Sequence, residues 1–355
     1  MSLPFLRTLR PFLFLAMLSG LLPSAVRADL VWSAATGWRM EGGVLSGLTG
    51  SEGNNALDQM NKARAAEESG SSRSAIKGYA SVAKKFPNSI YAPEALYRAA
   101  RLHLARKEYS KSFESYHDVL SRYPNTKRFN EIIGEQYRIA SAMLDGARDR
   151  MFFGLLPGFA QREKALGYFE TVLSNAPYSD YAPLSLMNIA RGHDRLNQVE
   201  DAVDALDRMI NNYPQSLLTP DAYLKIAQTH AAMVEGPFYD QASTKEAITY
   251  FTDFMLLFPS DTNIANAEKG LDGMKTMLAE SKMKMGDFYF YKRNNYKAAR
   301  VFYNAAITAY PESAIATRAR THLNEVEAKA AGNPPPAADA SAPAPAPKKK
   351  RFLFF

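Results

Sequence analysis

Five histidines, 36 acidic residues and no cysteine are the chain's stock of groups for metal binding or general acid–base chemistry. Three of the histidines recur at one position of an internal pattern. "APEALYRAARLH" ends at His103, "APLSLMNIARGH" at His193 and "TPDAYLKIAQTH" at His230. A metal site is the sharp reading of that recurrence; a ring filling a slot between neighbouring helices is the plain one. The three lie in different repeats, with no cysteine or acidic residue at ligand spacing, so packing is expected. Nor does the sequence hold a glycine-rich phosphate loop, a Gly-x-Ser-x-Gly or a His-Glu-x-x-His. Its acidic residues fall at helix-surface spacing. In "DAVDALDR" (201–208), Asp204 and Arg208 make an i,i+4 pair on a solvated face. The expectation is a non-enzymatic protein with no cofactor and no metal.

The elements around these residues are set by a proline ruler. Six segments share one pattern: 74–89, 111–126, 164–179, 201–216, 246–261 and 298–313. Each is an amphipathic helix that runs into Pro87, Pro124, Pro177, Pro214, Pro259 or Pro311, usually after an aromatic residue. Proline lacks an N–H and disfavours helix in the residue before it, so it stops each helix. The intervals of 37, 53, 37, 45 and 52 residues exceed the roughly 34 of a tetratricopeptide (TPR) helix pair; the excess reads as insertions. In 92–124, Leu96, Ala100, Tyr109, Tyr116 and Pro124 occupy the large, small, aromatic, aromatic and proline positions of that repeat. One helix pair cannot bury its apolar face alone, whereas stacked pairs can. The expected fold is all-α: a right-handed α-solenoid of about six TPR-like pairs over 54–330, its groove lined by the first helix of each pair. An extended arm over 29–53 carries Trp32 and Trp38, with a turn expected at Glu41-Gly42-Gly43. Two insertions, 143–163 and 233–246, fall between the helices of a pair. The first holds Phe152, Phe153 and Phe159 among glycines, either filling a local gap or forming an exposed apolar contact site.

Charge collects at the two ends. The formal net charge is +7, from 43 basic and 36 acidic residues. Arg7, Arg10 and Arg27 stand near the start and Lys348, Lys349, Lys350 and Arg351 near the end, and without those seven the rest is neutral. A nucleic-acid binder with a basic face throughout is thereby excluded. Arg7 and Arg10 precede a twelve-residue apolar run from Pro11 to Leu22, with Val26 and Ala28 as small residues beyond it. That order is a secretory signal segment, cleaved between Ala28 and Asp29; a membrane span needs about 20 apolar residues. An exported protein is expected, in the periplasm and associated with the outer membrane.

Residues 331–355 read as a Pro/Ala linker with a basic-aromatic end, disordered as a whole. Its last eight residues are "KKKRFLFF". Three readings stand side by side. Lys348, Lys349, Lys350 and Arg351 would attract an anionic membrane surface while Phe352, Phe354 and Phe355 enter the interface. A partner's groove or strand edge would capture the terminal aromatic carboxylate. Or the tail only solubilises.

Residues 219–325 add a more specific signal. "EAITYFTDFMLLFPSDTNIANA" is followed by "MKMGDFYFYK" (283–292) and "NYKAARVFYNAAITAYP". This stretch resembles the BamD (ComL/YfiO) family of outer membrane protein assembly factors. The resemblance implies a non-enzymatic periplasmic scaffold that contacts subunits of the β-barrel assembly machinery or unfolded outer membrane proteins. Two departures stand beside it. The family is anchored through a lipidated cysteine, which is absent here, and it has five repeats where six helix pairs are counted. The alternative is a generic periplasmic TPR adaptor in cell-envelope or peptidoglycan organisation.

Overall fold

A computed structural model describes residues 29–33, 36–41, 51–151, 156–237 and 241–332. The expected signal segment up to Ala28, the insertion residues Phe152 and Phe153, and the tail residues Lys348 to Phe355 lie outside them. The chain divides into two compact units, Met1–Gly192 and His193–Phe355. The described residues are helical apart from two antiparallel two-stranded hairpins.

The first unit opens with β1 (Asp29–Ser33) and β2 (Gly37–Glu41). It continues through α1 (Ser51–Glu68), α2 (Ser72–Lys85), α3 (Tyr91–Ala105), α4 (Tyr109–Arg122) and α5 (Phe129–Leu144). A second hairpin, β3 (Arg148–Met151) and β4 (Leu156–Ala160), precedes α6 (Arg162–Asn175), and the boundary between units falls within α7 (Tyr181–Arg195). The second unit holds α8 (Val199–Asn212), α9 (Thr219–Ala232), α10 (Gln241–Leu257) and α11 (Ile264–Asp287). A π-turn (Phe288–Lys292), α12 (Tyr296–Ala309) and α13 (Ala314–Gly332) complete it. Within each unit the helices pack as TPR-like pairs, α1 with α2, α3 with α4, α5 with α6, α9 with α10 and α11 with α12. The first helices of successive pairs also touch, as α1 does α3 and α9 does α11.

The ruler read from the prolines is visible in the packing. Twelve residues before each proline stands a small buried residue: Ala75, Ser112, Ala165, Ala202, Ala247 and Ala299. Eight before it stands a large buried one: Tyr79, Tyr116, Phe169, Leu206, Phe251 and Tyr303. The small residue permits close helix approach. Ser112 Oγ reaches across to donate to the Ala100 carbonyl at 2.9 Å. The residue before each proline leaves helical geometry, as the clash with the proline ring requires; Tyr123 has φ −132° and Tyr213 −131°. Its own N–H still bonds the carbonyl four back, at 2.8 Å from Tyr123 to Val119.

Three of the turns between paired helices share a device. Lys107, Asn197 and Asn294 adopt positive φ, 57°, 58° and 48°, each two residues before the second helix begins. The other described pairs with insertions carry them at this same place, between α5 and α6 and between α9 and α10.

Candidate protein-docking face

The first helices of the first three pairs present one continuous polar face. Starting on α1, Arg64 bonds Glu68 at 3.1 Å and Glu67 at 3.2 Å. Glu67 also faces Arg98 of α3 at 3.8 Å, and Arg98 bonds Glu94 at 2.9 Å. The second oxygen of Glu94 takes Arg128 at 2.8 Å, just ahead of α5, and Arg128 bonds Glu131 at 2.9 Å. Seven side chains thus alternate in sign across three helices. The Tyr79 hydroxyl donates to Glu67 at 2.7 Å and that of Tyr97 to Glu131. Glu94 is only 12% exposed, and the two guanidiniums on its oxygens offset the cost of burying a carboxylate.

Protonation is locked by the same contacts. Burial works to lower the Arg128 guanidinium, but Glu94 and Glu131 outweigh it and hold it above its usual value. Burial works to raise Glu131, but the bonds from Tyr97 and Arg128 hold it below the ordinary carboxylate value. Burial, then the bond to Glu131, pushes Tyr97 up to about 12. Arg128 and Glu131 are therefore both charged at neutral pH. The ladder can bind and orient a polar extended segment or an aromatic ring; it offers no nucleophile beside a free base.

The hairpin β1–β2 lies on this face. Its strands are joined between Ser33 and Gly37, and Gly42 and Gly43 of the expected turn lie outside the described residues. Ser33 and Thr36 close the connection, with the Thr36 N–H donating to Ser33 Oγ at 3.1 Å, and Gly37 takes φ +70°. Trp32 and Trp38 are directly paired across the strands and so share one side of the hairpin. The Arg64 guanidinium stacks on Trp32 at 4.1 Å and that of Arg98 on Trp38 at 5.1 Å. The Trp38 backbone N–H donates to Asn61 Oδ1 at 2.8 Å. Leu30 reaches a cleft of about 410 Å³ between the starts of α3 and α5, lined by Ile90, Pro93, Glu94, Arg128 and Glu131. None of these charged residues stood out in the sequence. Arg64/Glu68 and Glu94/Arg98 were detectable as i,i+4 pairs, but the links between helices were not.

Of the sequence-predicted residues, Asp29, which follows the expected cleavage bond, is the first of β1 and pairs with Glu41. Phe159 stands on β4 and is 82% exposed, with Leu156 beside it also exposed. Their hairpin is tied down at its base. Asp149 accepts from the Ser110 N–H at 3.0 Å and from Ser110 Oγ at 2.5 Å, placing a carboxylate at the start of α4. The Arg150 N–H donates to the Lys107 carbonyl at 3.1 Å. The repeat histidines serve the turns and the packing. His103 Nδ1 lies 2.6 Å from Glu108 and His193 Nδ1 2.9 Å from Gln198, each five residues on. Glu108 is an acidic partner that the spacing argument passed over, because it lies beyond the helix end. His230 stacks on Tyr250. Among the described residues no group of three or more His, Cys, Asp or Glu is placed to hold a metal, and no helix is long and apolar enough to cross a membrane.

The YfiO family, described as outer membrane lipoprotein, matches residues 160–339, and a tetratricopeptide repeat matches 94–126. The chain is 26% identical over 126 residues to outer membrane protein assembly factor BamD of Caulobacter vibrioides, covering 36% of this chain and 41% of that one. It is 22% identical over 167 residues to BamD of Xylella fastidiosa, covering 44% and 57%. The chain thus spans about half the length of the relatives it matches. Among solved structures, a tetratricopeptide repeat protein from Parabacteroides merdae aligns over 78% of this chain and 100% of its own, at 14% identity and a TM-score of 0.30. With the family match taking in half of its residues and every described pair built on the TPR pattern, the chain belongs to the YfiO family of outer membrane lipoproteins, with BamD assembly factors as its relatives.

Proposed function

We propose that this protein is a non-enzymatic, BamD-like scaffold at the periplasmic side of the outer membrane. It holds subunits of the β-barrel assembly machinery, or unfolded outer membrane proteins, through the face made by its first helices. The observation that carries this reading is the family match over 160–339, joined to a charged face on α1, α3 and α5 whose arginines stack on aromatic rings. Such a face suits an extended protein segment, since its alternating charges meet backbone dipoles and its arginines meet rings.

Two further contacts complete the proposal. Phe159, with Phe152 and Phe153 of the same insertion, forms an apolar contact for a partner. Lys348, Lys349, Lys350 and Arg351, followed by Phe352, Phe354 and Phe355, form an additional attachment to an anionic membrane surface or to a partner. The test is affinity recovery from detergent-solubilised envelope, comparing the full chain with one ending at Pro347. Recovery of the barrel-forming assembly subunit by both supports the scaffold reading, and its absence from both refutes it. If the shortened chain stays in the membrane fraction as fully as the long one, the tail is not an attachment.

A further inference from the structure

We propose that β1–β2 is the chain's own occupant of the docking face. In its place the face takes an extended segment of a partner protein that carries two aromatic side chains on one side. This inference rests on the reading of the first-helix face as the docking face, and adds the chemistry of its ligand and a resident competitor.

The hairpin is held as a groove holds a peptide. One side-chain amide, Asn61, grips a backbone N–H. Two guanidiniums, Arg64 and Arg98, each take one indole ring. Every one of these partners lies on the first helix of a pair, α1 or α3, and the cleft reached by Leu30 is bounded by α3 and the start of α5. The hold is also built to be reversible. A hairpin with five-residue strands is barely stable alone. Trp32 Nε1 and Trp38 Nε1 are both buried with no acceptor among the described residues, which sets the docked state back against a ligand with no N–H to satisfy. A phenylalanine or tyrosine ring would keep the cation–π contact without burying an indole donor.

The chain's two tryptophans are both in this hairpin, so emission excited selectively at tryptophan reports on its docking. In Gly37→Ala, the new Cβ would lie 2.7 Å from Asn61 Oδ1 at a residue with φ +70°. The change strains the hairpin's turn against the Asn61 side chain, while the substituted residue itself lies outside the helices. Emission should move to the red and acrylamide quenching should rise severalfold, with unchanged far-ultraviolet circular dichroism. A fluorescein-labelled peptide of residues 29–41 should then bind the full-length variant at least tenfold more tightly than the native chain. The same peptide with both tryptophans replaced by phenylalanine should also bind, and with both replaced by alanine it should not. If Gly37→Ala leaves the emission unmoved, the Trp32→Ala, Trp38→Ala double variant serves as the vacated chain, its lack of tryptophan making the peptide's emission the sole signal. Equal affinity for native and vacated chains, or none for a vacated chain that remains folded, overturns the proposal. Concentration-dependent dimers of Gly37→Ala that the peptide dissociates would make a second copy the ligand and overturn the partner assignment. Peptide binding without recovery of any assembly subunit would refute the scaffold reading alone; recovery without peptide binding would refute this inference alone.

Discussion

Helix α11 contains two glycines at which the same substitution should act with opposite sign. Alanine at a helix interior is favoured over glycine by about 1 kcal/mol. At Gly273 an added Cβ meets nothing within 4 Å, so Gly273→Ala should keep that gain. At Gly286 the Cβ would stand 2.6 Å from both Cδ1 and Cε1 of Tyr303. That ring is fully buried, and its hydroxyl is tied to Asp287 at 2.8 Å, so it cannot swing aside. Overpacking of this kind costs about 1–3 kcal/mol, which cancels or exceeds the helix gain. The two variants should therefore differ by about 1–3 kcal/mol, with Gly273→Ala the more stable. At about 2–4 °C per kcal/mol for a unit of this size, their melting midpoints should part by several degrees. Thermal unfolding followed by circular dichroism measures this, with near-ultraviolet signals reporting the Tyr303 surroundings. If Gly286→Ala melts with or above Gly273→Ala, the close approach of α11 and α12 is not a packing constraint and the reasoning fails.

Glu94→Gln leaves Arg98 and Arg128 without their shared carboxylate and should cost about 1–3 kcal/mol; a loss of that size in the urea midpoint that persists in high salt would mark the partly buried link. Glu131 and Glu108 are both held below the usual 4.5, against burial, Glu131 by Tyr97 and Arg128 and Glu108 by His103 and basic neighbours. The unfolded chain therefore binds more protons in this range. Their contribution is whole above about pH 4.5 and lost as pH falls through their folded values; acid titration of Glu131→Gln should show a shallower loss than the native chain. Asp149→Ala removes both bonds to Ser110 and should speed proteolytic cleavage within 148–160 severalfold, with the rest of the pattern unchanged. Tyr303→Phe removes the hydroxyl shared between Asp287 and His322 and should cost about 1 kcal/mol without altering peptide binding to the first unit.

The legibility of the helix pairs has a local cause. A proline stops a helix through its own ring, and residues five, eight and twelve before it lie on one helix face whatever the rest of the molecule does. So Tyr116 and Ser112, or Tyr303 and Ala299, could be placed in the core from spacing alone. The positive-φ turn residues were harder to see, because asparagine serves two of the three and lysine the other. The π-turn at Phe288–Lys292 left no sequence signal at all. The aromatic ring of Phe290 there packs against Tyr296 and Tyr303 of the following helix, contacts that are set only in the fold.

The site divides along the same line. Trp32 and Trp38 were conspicuous, and an arm or hairpin around them was readable from composition. Where that hairpin rests was not, since docking joins residues 23 or more apart in sequence, as Trp38 and Asn61 are. The charge ladder is the clearest case. Periodicity determines that Arg64 and Glu94 stand on helix surfaces, and the repeat determines that α1, α3 and α5 are first helices. Only the stacking of those helices sets Glu67 beside Arg98 and Glu94 beside Arg128, because Coulomb attraction and hydrogen bonding act across a few ångströms of space and leave no period along the chain.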